Sequence, residues 1–225
     1  MKSLTRVLPL LVIVAAIAAG SSRGALAQEM AVSLKAGTAG IGGDLTFGLS
    51  DQLNLRGGAA GFSYNGTRME QQITYDTAAK LLSGFALLDF HPAGGAFRIS
   101  VGAVVNKNVV TGQSTGGILI INGVPYNAKD VGSLTGEVRA NTLCPYLGIG
   151  IGNAVGRGGA VKLVLDVGVY YMGSPKVSLT ANPASPGQIP PGFAEDLEQE
   201  RKKIEDDLSK YRYYPVISLG VSIQL

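Results

Sequence analysis

Apolar residues alternate with small or polar residues along one segment of this chain after another. From Val161 to Tyr171 every second residue is apolar or aromatic, and residues such as Lys162 and Gly168 lie between them. Residues 97–106, 143–152 and 217–225 show the same alternation, and residues 45–49, 53–60 and 82–90 show a weaker form of it. Successive side chains of a β-strand point to opposite faces, so these seven segments are predicted to be strands with one apolar face each. Residues 31–37 are a doubtful eighth strand.

Residues 1–27 are predicted to be a secretory signal peptide. Lys2 and Arg6 lie at the start, residues 7–20 form an apolar run, and residues 25–27 match the A-x-A cleavage pattern. The apolar run is short for a spanning helix, which needs about 20 residues. We therefore expect cleavage rather than an uncleaved membrane anchor.

Removal of this leader changes the charge of the chain. The leader contains three basic residues and no acidic one, so the basic count falls from 19 to 16 and equals the 16 acidic residues. A neutral chain gives no support to nucleic-acid binding, which needs a basic surface. The single cysteine excludes an internal disulfide, and the sequence has no Cys/His cluster for a zinc ion.

The alternating segments predict a membrane barrel. Lipid cannot satisfy backbone N–H and C=O groups, so a spanning chain must be helical or form a closed barrel. After residue 27 no apolar run is long enough for a spanning helix, whereas about 9–11 tilted residues suffice for a strand. Single-chain bacterial barrels have an even number of strands. We therefore predict that residues 28–225 form one all-β domain, an eight-stranded antiparallel up-and-down transmembrane β-barrel.

The predicted connections alternate in length. Short turns are expected at 50–51, 92–96 and 154–159, and long loops at 65–80, 112–138 and 174–210. The hairpin at 37–43 is the one exception, because it lies at the end with the long loops but has a short loop itself. Short periplasmic turns and long external loops are typical of outer-membrane barrels. A periplasmic β-sandwich is the soluble alternative, because its strands would alternate in a similar way.

Two of the long loops carry further signals. Four prolines within residues 181–192 exclude a regular helix there. Residues 193–210 contain opposite charges four positions apart and are predicted to form one short charged helix. In the second loop, Asn122-Gly123 favours a tight turn, so residues 118–124 are expected to form part of a small β-flap.

Six charged residues fall on the inner faces of the predicted strands, close to the short turns. They are Asp44, Arg56, Asp89, Arg98, Lys162 and Asp166. Three cations balance three anions, and buried charges have to be paired. We expect these residues to fill the lumen, since an eight-stranded interior is just wide enough for its side chains. A polar lining for ion passage is the alternative, and the inward glycines Gly148, Gly150 and Gly152 are expected to leave a narrow pocket open to the outside.

Aromatic residues are expected at both membrane interfaces, where amphipathic rings are enriched. The predicted external belt consists of Tyr170, Tyr171, Tyr211, Tyr213 and Tyr214. Phe90 and Phe97 flank a short turn and are predicted to belong to the periplasmic belt.

No residue pattern predicts catalysis, a cofactor or a metal site. The chain has a single histidine, His91, which falls in a predicted periplasmic turn. A Ser/His hydrolase needs a histidine within hydrogen-bond reach of its nucleophile, and Cys144 has no evident base. The glycines at 37–43 lack the Lys-Ser/Thr of a phosphate loop.

Three segments resemble small proteobacterial outer-membrane barrels of the OmpW or OmpA type. They are residues 45–56 (LTFGLSDQLNLR), 145–156 (PYLGIGIGNAVG) and 214–225 (YPVISLGVSIQL). The resemblance implies an outer-membrane location, a monomer, contact with outer-membrane lipid and lipopolysaccharide, and recognition of the C-terminal strand by the barrel-assembly machinery. Such barrels commonly end in an aromatic residue, whereas this chain ends in Leu225.

Three functions follow as hypotheses. The first is a non-enzymatic barrel that is structural or a narrow conduit for small or apolar solutes. The second is an adhesion-type surface protein that acts through its long loops. The third and least supported is a lipid-modifying enzyme, because the sequence offers no suitable base.

Overall fold

The computed structural model describes residues 30–70, 73–156, 159–183 and 189–225. The predicted signal peptide, residues 1–27, lies outside the described residues. No helix among them is long and apolar enough to cross a membrane.

Thirteen strands and two α-helices are formed by the described residues, together with a short 3₁₀ turn at Pro92–Gly94. They are β1 (Met30–Gly37), β2 (Gly40–Ser50), β3 (Leu53–Glu70), β4 (Ile73–Phe90), β5 (Phe97–Asn106), β6 (Val109–Thr115), β7 (Ile118–Ile121), β8 (Val124–Asn127), α1 (Ala128–Val131), β9 (Ser133–Arg139), β10 (Leu143–Ile151), β11 (Val161–Tyr171), β12 (Lys176–Asn182), α2 (Phe193–Leu208) and β13 (Tyr213–Gln224).

Eight of these strands close into an antiparallel barrel. Its order is β1-β2-β3-β4-β5-β10-β11-β13, and β13 returns to pair with β1. The closing register puts Ala31 opposite Gln224 and Gly37 opposite Ser218. The predicted eight-stranded barrel is therefore confirmed, and the doubtful segment 31–37 is its first strand.

The outer face of the barrel is apolar from strand to strand. Leu34 on β1, Leu147 on β10, Leu163 on β11 and Leu219 on β13 are each more than half exposed. Soluble proteins rarely expose continuous apolar surface of this kind. Since the small, polar and charged residues face inward, the pattern of a soluble protein is inverted, as contact with lipid requires.

Two of the three predicted long loops, 65–80 and 112–138, are largely strand, and the third, 174–210, contains β12 and α2, so the prediction of loops was wrong in its detail. On β4, residues Ser83–Phe90 pair with β5, and Thr74–Lys80 pair with β6 on the same edge. β6 pairs in turn with β9, and β9 with β12. The barrel wall thus continues outward as an open sheet, β3-β4-β6-β9-β12, which we call the external sheet. Above the lipid a strand needs no continuous apolar face, and so the alternation there is weak.

The predicted flap and helix are both present. β7 and β8 form a hairpin whose turn, Asn122-Gly123, has positive φ at both residues (52° and 79°). The helix predicted at 193–210 is α2. A small apolar cluster joins the hairpin to α2, and Tyr126 packs edge-on against Phe193 with ring centroids 5.0 Å apart. The external part therefore has a core of its own.

Candidate functional site in the barrel lumen

Seven strands of the barrel, and the residue that follows β10, contribute groups to one polar layer across the lumen, which we call the lumen floor. Its members are Lys35 (β1), Asp44 (β2), Arg56 (β3), Asp89 (β4), Arg98 and Ser100 (β5), the carbonyl group of Gly152 just after β10, Asp166 (β11) and Ser218 (β13). All six charged side chains are at most one-tenth exposed.

Asp166 lies at the centre of the floor. Its carboxylate lies 2.6 Å from Nη2 of Arg98, 2.9 Å from Nζ of Lys35 and 3.2 Å from Nη1 of Arg56. Three cations from three different strands therefore meet at one carboxylate. Charge-assisted hydrogen bonds of this kind are among the strongest in proteins, and they hold the strands at fixed positions around the lumen.

The other two carboxylates complete the charge balance. Asp89 accepts a two-point contact from Arg56, with Nε–Oδ2 at 2.7 Å and Nη2–Oδ1 at 3.0 Å, and the Ser100 hydroxyl donates to Asp89 as well. Asp44 lies 2.7 Å from Nζ of Lys35. Three buried cations thus face three buried anions, the condition under which burial of charge is tolerated.

Five of the six predicted lumen charges lie in this floor, and one does not. Lys162 is four residues nearer the periplasmic end of β11 than Asp166, where its ammonium group donates to the carbonyl groups of Ala154 and Gly156 and to Oε1 of Gln224. The third cation of the floor is Lys35, which the sequence reading missed. It lies on β1, the strand that was doubtful, so its inner face had not been counted.

Ala154 and Val155, in the turn between β10 and β11, lie at the periplasmic end of the lumen. Val155 is buried against Ala31 and Ala154, and Nε2 of Gln224 donates to the Val155 carbonyl. Between this turn and the floor a cavity of about 10 Å³ remains, space for about one water molecule.

Above the floor a cavity of about 70 Å³ lies toward the outside, room for roughly five water molecules. Gly37, Gly40 and Gly42 line one side, and Tyr146 and Tyr170 line the other. The lining is therefore a small-residue wall of β1 and β2 facing aromatic side chains of β10 and β11.

This cavity is not where the sequence placed it. A Cβ atom on Gly148 would lie 2.4 Å from the Tyr146 hydroxyl, and one on Gly150 would lie 2.7 Å from Nε of Arg98. A Cβ atom on Gly152 would meet the Leu163 carbonyl at 2.4 Å. The expectation that these glycines leave a pocket was wrong, because two large side chains and the neighbouring backbone occupy the space beside them.

Two of the predicted interfacial tyrosines face the lumen instead. The Tyr170 ring is 1% exposed and stacks on Tyr214 with centroids 4.8 Å apart. Adjacent residues of a strand point to opposite faces, so Tyr170 and Tyr171 could not both face lipid. Tyr171 and Tyr213 pair on the outside, with centroids 5.3 Å apart, and Tyr211 is exposed. Phe90 and Phe97 are also exposed, at either side of the turn around Pro92–Gly94.

The residues weighed for chemistry are held in structural contacts. The His91 ring lies 3.1 Å from Nδ2 of Asn54 and 3.0 Å from the Gly95 carbonyl. Cys144 is buried in the aromatic cluster of the lumen, with its sulfur atom 3.2 Å from the Asn141 carbonyl. Within the described residues no group of three or more His, Cys, Asp or Glu side chains could hold a metal ion.

Solved structures with this architecture are known, although sequence comparison finds no relative. No family model and no curated protein matches the chain. CarO2 of Acinetobacter baumannii has a TM-score of 0.57 and 23% sequence identity, covering 88% of this chain and 99% of that one. CarO of Acinetobacter baumannii has a TM-score of 0.54 and 21% identity, covering 86% of this chain and 96% of that one.

The chain has the fold of small outer-membrane β-barrel proteins. Identities this low show a shared fold and nothing about a shared ligand. The location follows from the barrel itself, because a closed antiparallel barrel with an apolar belt outside and charges inside suits the bacterial outer membrane.

Proposed function

We propose that this protein is a closed, non-enzymatic outer-membrane barrel that anchors the external sheet at the cell surface, rather than an open conduit. The observation that carries the proposal is the lumen floor, to which seven strands and the residue after β10 contribute and in which the charges balance. An ion crossing this layer would have to separate buried ion pairs, which is costly in low dielectric.

The external sheet supports the second half of the proposal. In this sheet, five strands continue the barrel wall beyond the lipid. The helix α2 and the β7–β8 hairpin cover part of the sheet and are joined by a separate apolar cluster. Asp196 of α2 accepts hydrogen bonds from Tyr126 and from the Asn122 side chain, at 2.5 and 2.9 Å. An external region with its own core and hydrogen bonds is suited to contact with partners in the way an adhesion-type protein requires.

Single-channel recording in planar bilayers tests the proposal. The wild-type protein, folded and inserted, is expected to give no discrete conductance steps. The double variant Arg56→Ala/Asp89→Ala removes one buried cation together with its anion, so the floor stays neutral while its cross-section opens. Glu137→Ala/Arg139→Ala removes an exposed ion pair of β9 and serves as the matched control.

The outcomes separate the two readings of the lumen. Reproducible steps in the wild-type protein would refute the closed barrel and favour a narrow conduit for small solutes. Steps in Arg56→Ala/Asp89→Ala alone would locate the barrier at the floor. Silence in all three proteins would support closure and assign a second barrier to the turn at Val155.

The external cavity favours one further candidate function, the binding of a small apolar group from outside. Phe85, Leu87, Val104 and Tyr146 are among the apolar residues that line it. Filling it with Ala60→Leu is expected to abolish binding of such a group, whereas the same change has no effect if the cavity holds only water. Binding of an apolar fluorescent probe to folded protein distinguishes the two.

Lipid-modifying activity is the least supported function. Both ring nitrogens of His91 are engaged by Asn54 and Gly95, on the periplasmic side of the barrel. We expect His91→Ala to leave the lipid profile of the outer membrane unchanged, and a changed profile would revive the enzyme hypothesis.

A further inference from the structure

A row of basic side chains crosses the outer face of the external sheet. The strand registers place Lys80 of β4 opposite Val109 of β6, Val109 opposite Arg139 of β9, and Arg139 opposite Lys176 of β12. Residues directly opposite each other on neighbouring strands point to the same face. Lys80, Arg139 and Lys176 therefore project together from one face, and we call them the basic row.

The three charges of the basic row lie close to one another. Neighbouring strands are about 4.8 Å apart, so the row spans roughly 15 Å from β4 to β12. All three side chains are exposed. Glu137 accepts from Nε and Nη2 of Arg139, yet 60% of the Arg139 side chain remains exposed. Counted together with Glu137, the row keeps a net positive charge.

The basic row lies directly above the apolar belt. Leu82, two residues below Lys80 on the same face of β4, is exposed, as is Leu143 at the external start of β10. Tyr171 of β11 and Tyr213 of β13 lie opposite each other near the external ends of these strands. They form an aromatic pair of the kind found at membrane interfaces. From the periplasm outward, the surface thus passes from aliphatic to aromatic to basic.

We propose that the basic row binds the phosphate groups of an outer-leaflet glycolipid, lipopolysaccharide in a Gram-negative bacterium. Phosphates of such a lipid lie just outside its acyl chains, which is the height of the row relative to the belt. Lysine and arginine are the side chains that bind phosphate, and three of them pointing to one face can engage one or two phosphate groups. A lipid, unlike a free anion, can also contact Leu82 and Leu143 below the row.

The occupant of this surface follows from its position. The opposite face of the external sheet carries Leu134 and Ala181, which pack against the cluster that includes α2. The row is on the other face, which continues the lipid-facing side of the barrel. The site is independent of whether the lumen conducts, so it stands or falls separately from the closed barrel.

The test measures lipopolysaccharide binding to the folded protein in a neutral detergent by native mass spectrometry. The variant Lys80→Gln/Arg139→Gln/Lys176→Gln removes the row. The control Lys129→Gln/Lys202→Gln/Lys203→Gln removes the same charge from exposed positions on α1 and α2. A basic side chain near an anionic membrane surface contributes roughly a factor of five to binding, so the row variant should bind on the order of 100-fold more weakly. Heat-dependent gel mobility verifies that both variants are folded.

Each result decides the proposal. Binding that is lost in the row variant, kept in the control and lost with dephosphorylated lipopolysaccharide supports it. Equal binding by the row variant and the wild type refutes it. Equal losses in both variants also refute it, because binding would then depend on total charge and not on the row. Complete displacement of the lipid by inorganic phosphate would show a site for a free anion and would refute the lipid assignment.

Discussion

Neutralising Asp166 is expected to destabilise the barrel strongly. Three cations lie within 3.2 Å of its carboxylate, and Asp166→Asn would leave the floor with three cations and two anions. Removing one partner of a buried ion pair costs about 3–5 kcal/mol. Because the asparagine oxygen can still accept a hydrogen bond, we expect the lower end, about 3 kcal/mol, or roughly a 100-fold change in the ratio of folded to unfolded protein.

A second substitution tests the physical reason. Lys35→Met in the Asp166→Asn background restores two cations facing two anions. If charge imbalance causes the loss, the double variant should be more stable than Asp166→Asn alone, with a coupling free energy of about 1–3 kcal/mol. If the loss comes only from packing, the two substitutions should add.

Equilibrium urea unfolding in lipid vesicles provides the assay. The chain contains no tryptophan, so the folded fraction is read from gel mobility without heating and from far-UV circular dichroism. Glu137→Gln is the matched control, an isosteric change in an exposed ion pair, for which no measurable shift is expected. A midpoint for Asp166→Asn equal to that of the control would refute the role given to the floor.

Three shorter predictions concern other regions. Gly168→Ala would place a Cβ atom 2.3 Å from the Tyr146 hydroxyl and should cost about 1–3 kcal/mol in the urea titration, with partial recovery in Tyr146→Phe; no recovery would contradict the packing explanation. Burial lowers the pKa of His91 below its ordinary 6.5, so the folded state favours the neutral ring. The stabilisation of the folded state that comes from this preference is complete above pH 6.5 and is lost as the pH falls below 6.5. The unfolding temperatures read from gel shifts at acid and neutral pH should therefore be closer together in His91→Gln than in the wild type. If His91→Gln loses as much stability at acid pH as the wild type does, His91 is not the source of the loss. Tyr126→Phe removes the hydrogen bond to Asp196 and should speed amide exchange in the β7–β8 hairpin; an effect spread evenly over the chain would argue against a separate external core.

The barrel could be predicted from sequence because lipid imposes a strict pattern. Along β10 and β11 the outward residues must be apolar and the inward residues small or polar, so the period of two is unbroken. Once one residue of a strand is assigned to the lumen, the others follow by parity. That rule placed Asp44, Arg56 and Asp166 inside without any structure.

The external sheet escaped prediction because no lipid contact constrains it. β6, β9 and β12 pair as regular strands, but the residues of β6 and β9 are mostly half-buried, and neither face of these two strands has to be apolar. Short irregular segments at 107–108, 140–142 and 172–175 also interrupt the chain where the barrel strands continue outward. Long loop lengths were the only signal, and they were compatible with irregular structure.

The details of the lumen required the structure because glycine can either leave space or receive a side chain. The sequence cannot show that the Tyr146 side chain occupies the space beside Gly148 of its own strand and Gly168 of β11. Tyr170, in contrast, could have been placed correctly. It shares its parity with Asp166, and the parity rule was a better guide than its place beside Tyr171 at the strand end.

Closure between β1 and β13 determines which side chains face the lumen, and a disulfide measures it directly. Val32 and Ile223 lie opposite each other in the closing register. In a Cys144→Ser background, Val32→Cys/Ile223→Cys should form a disulfide that changes the mobility of the boiled, unreduced chain, and Leu34→Cys/Ile223→Cys, two residues out of register, should not. Cross-linking of the second pair in place of the first, or of neither pair in folded protein, would contradict the closed eight-stranded barrel.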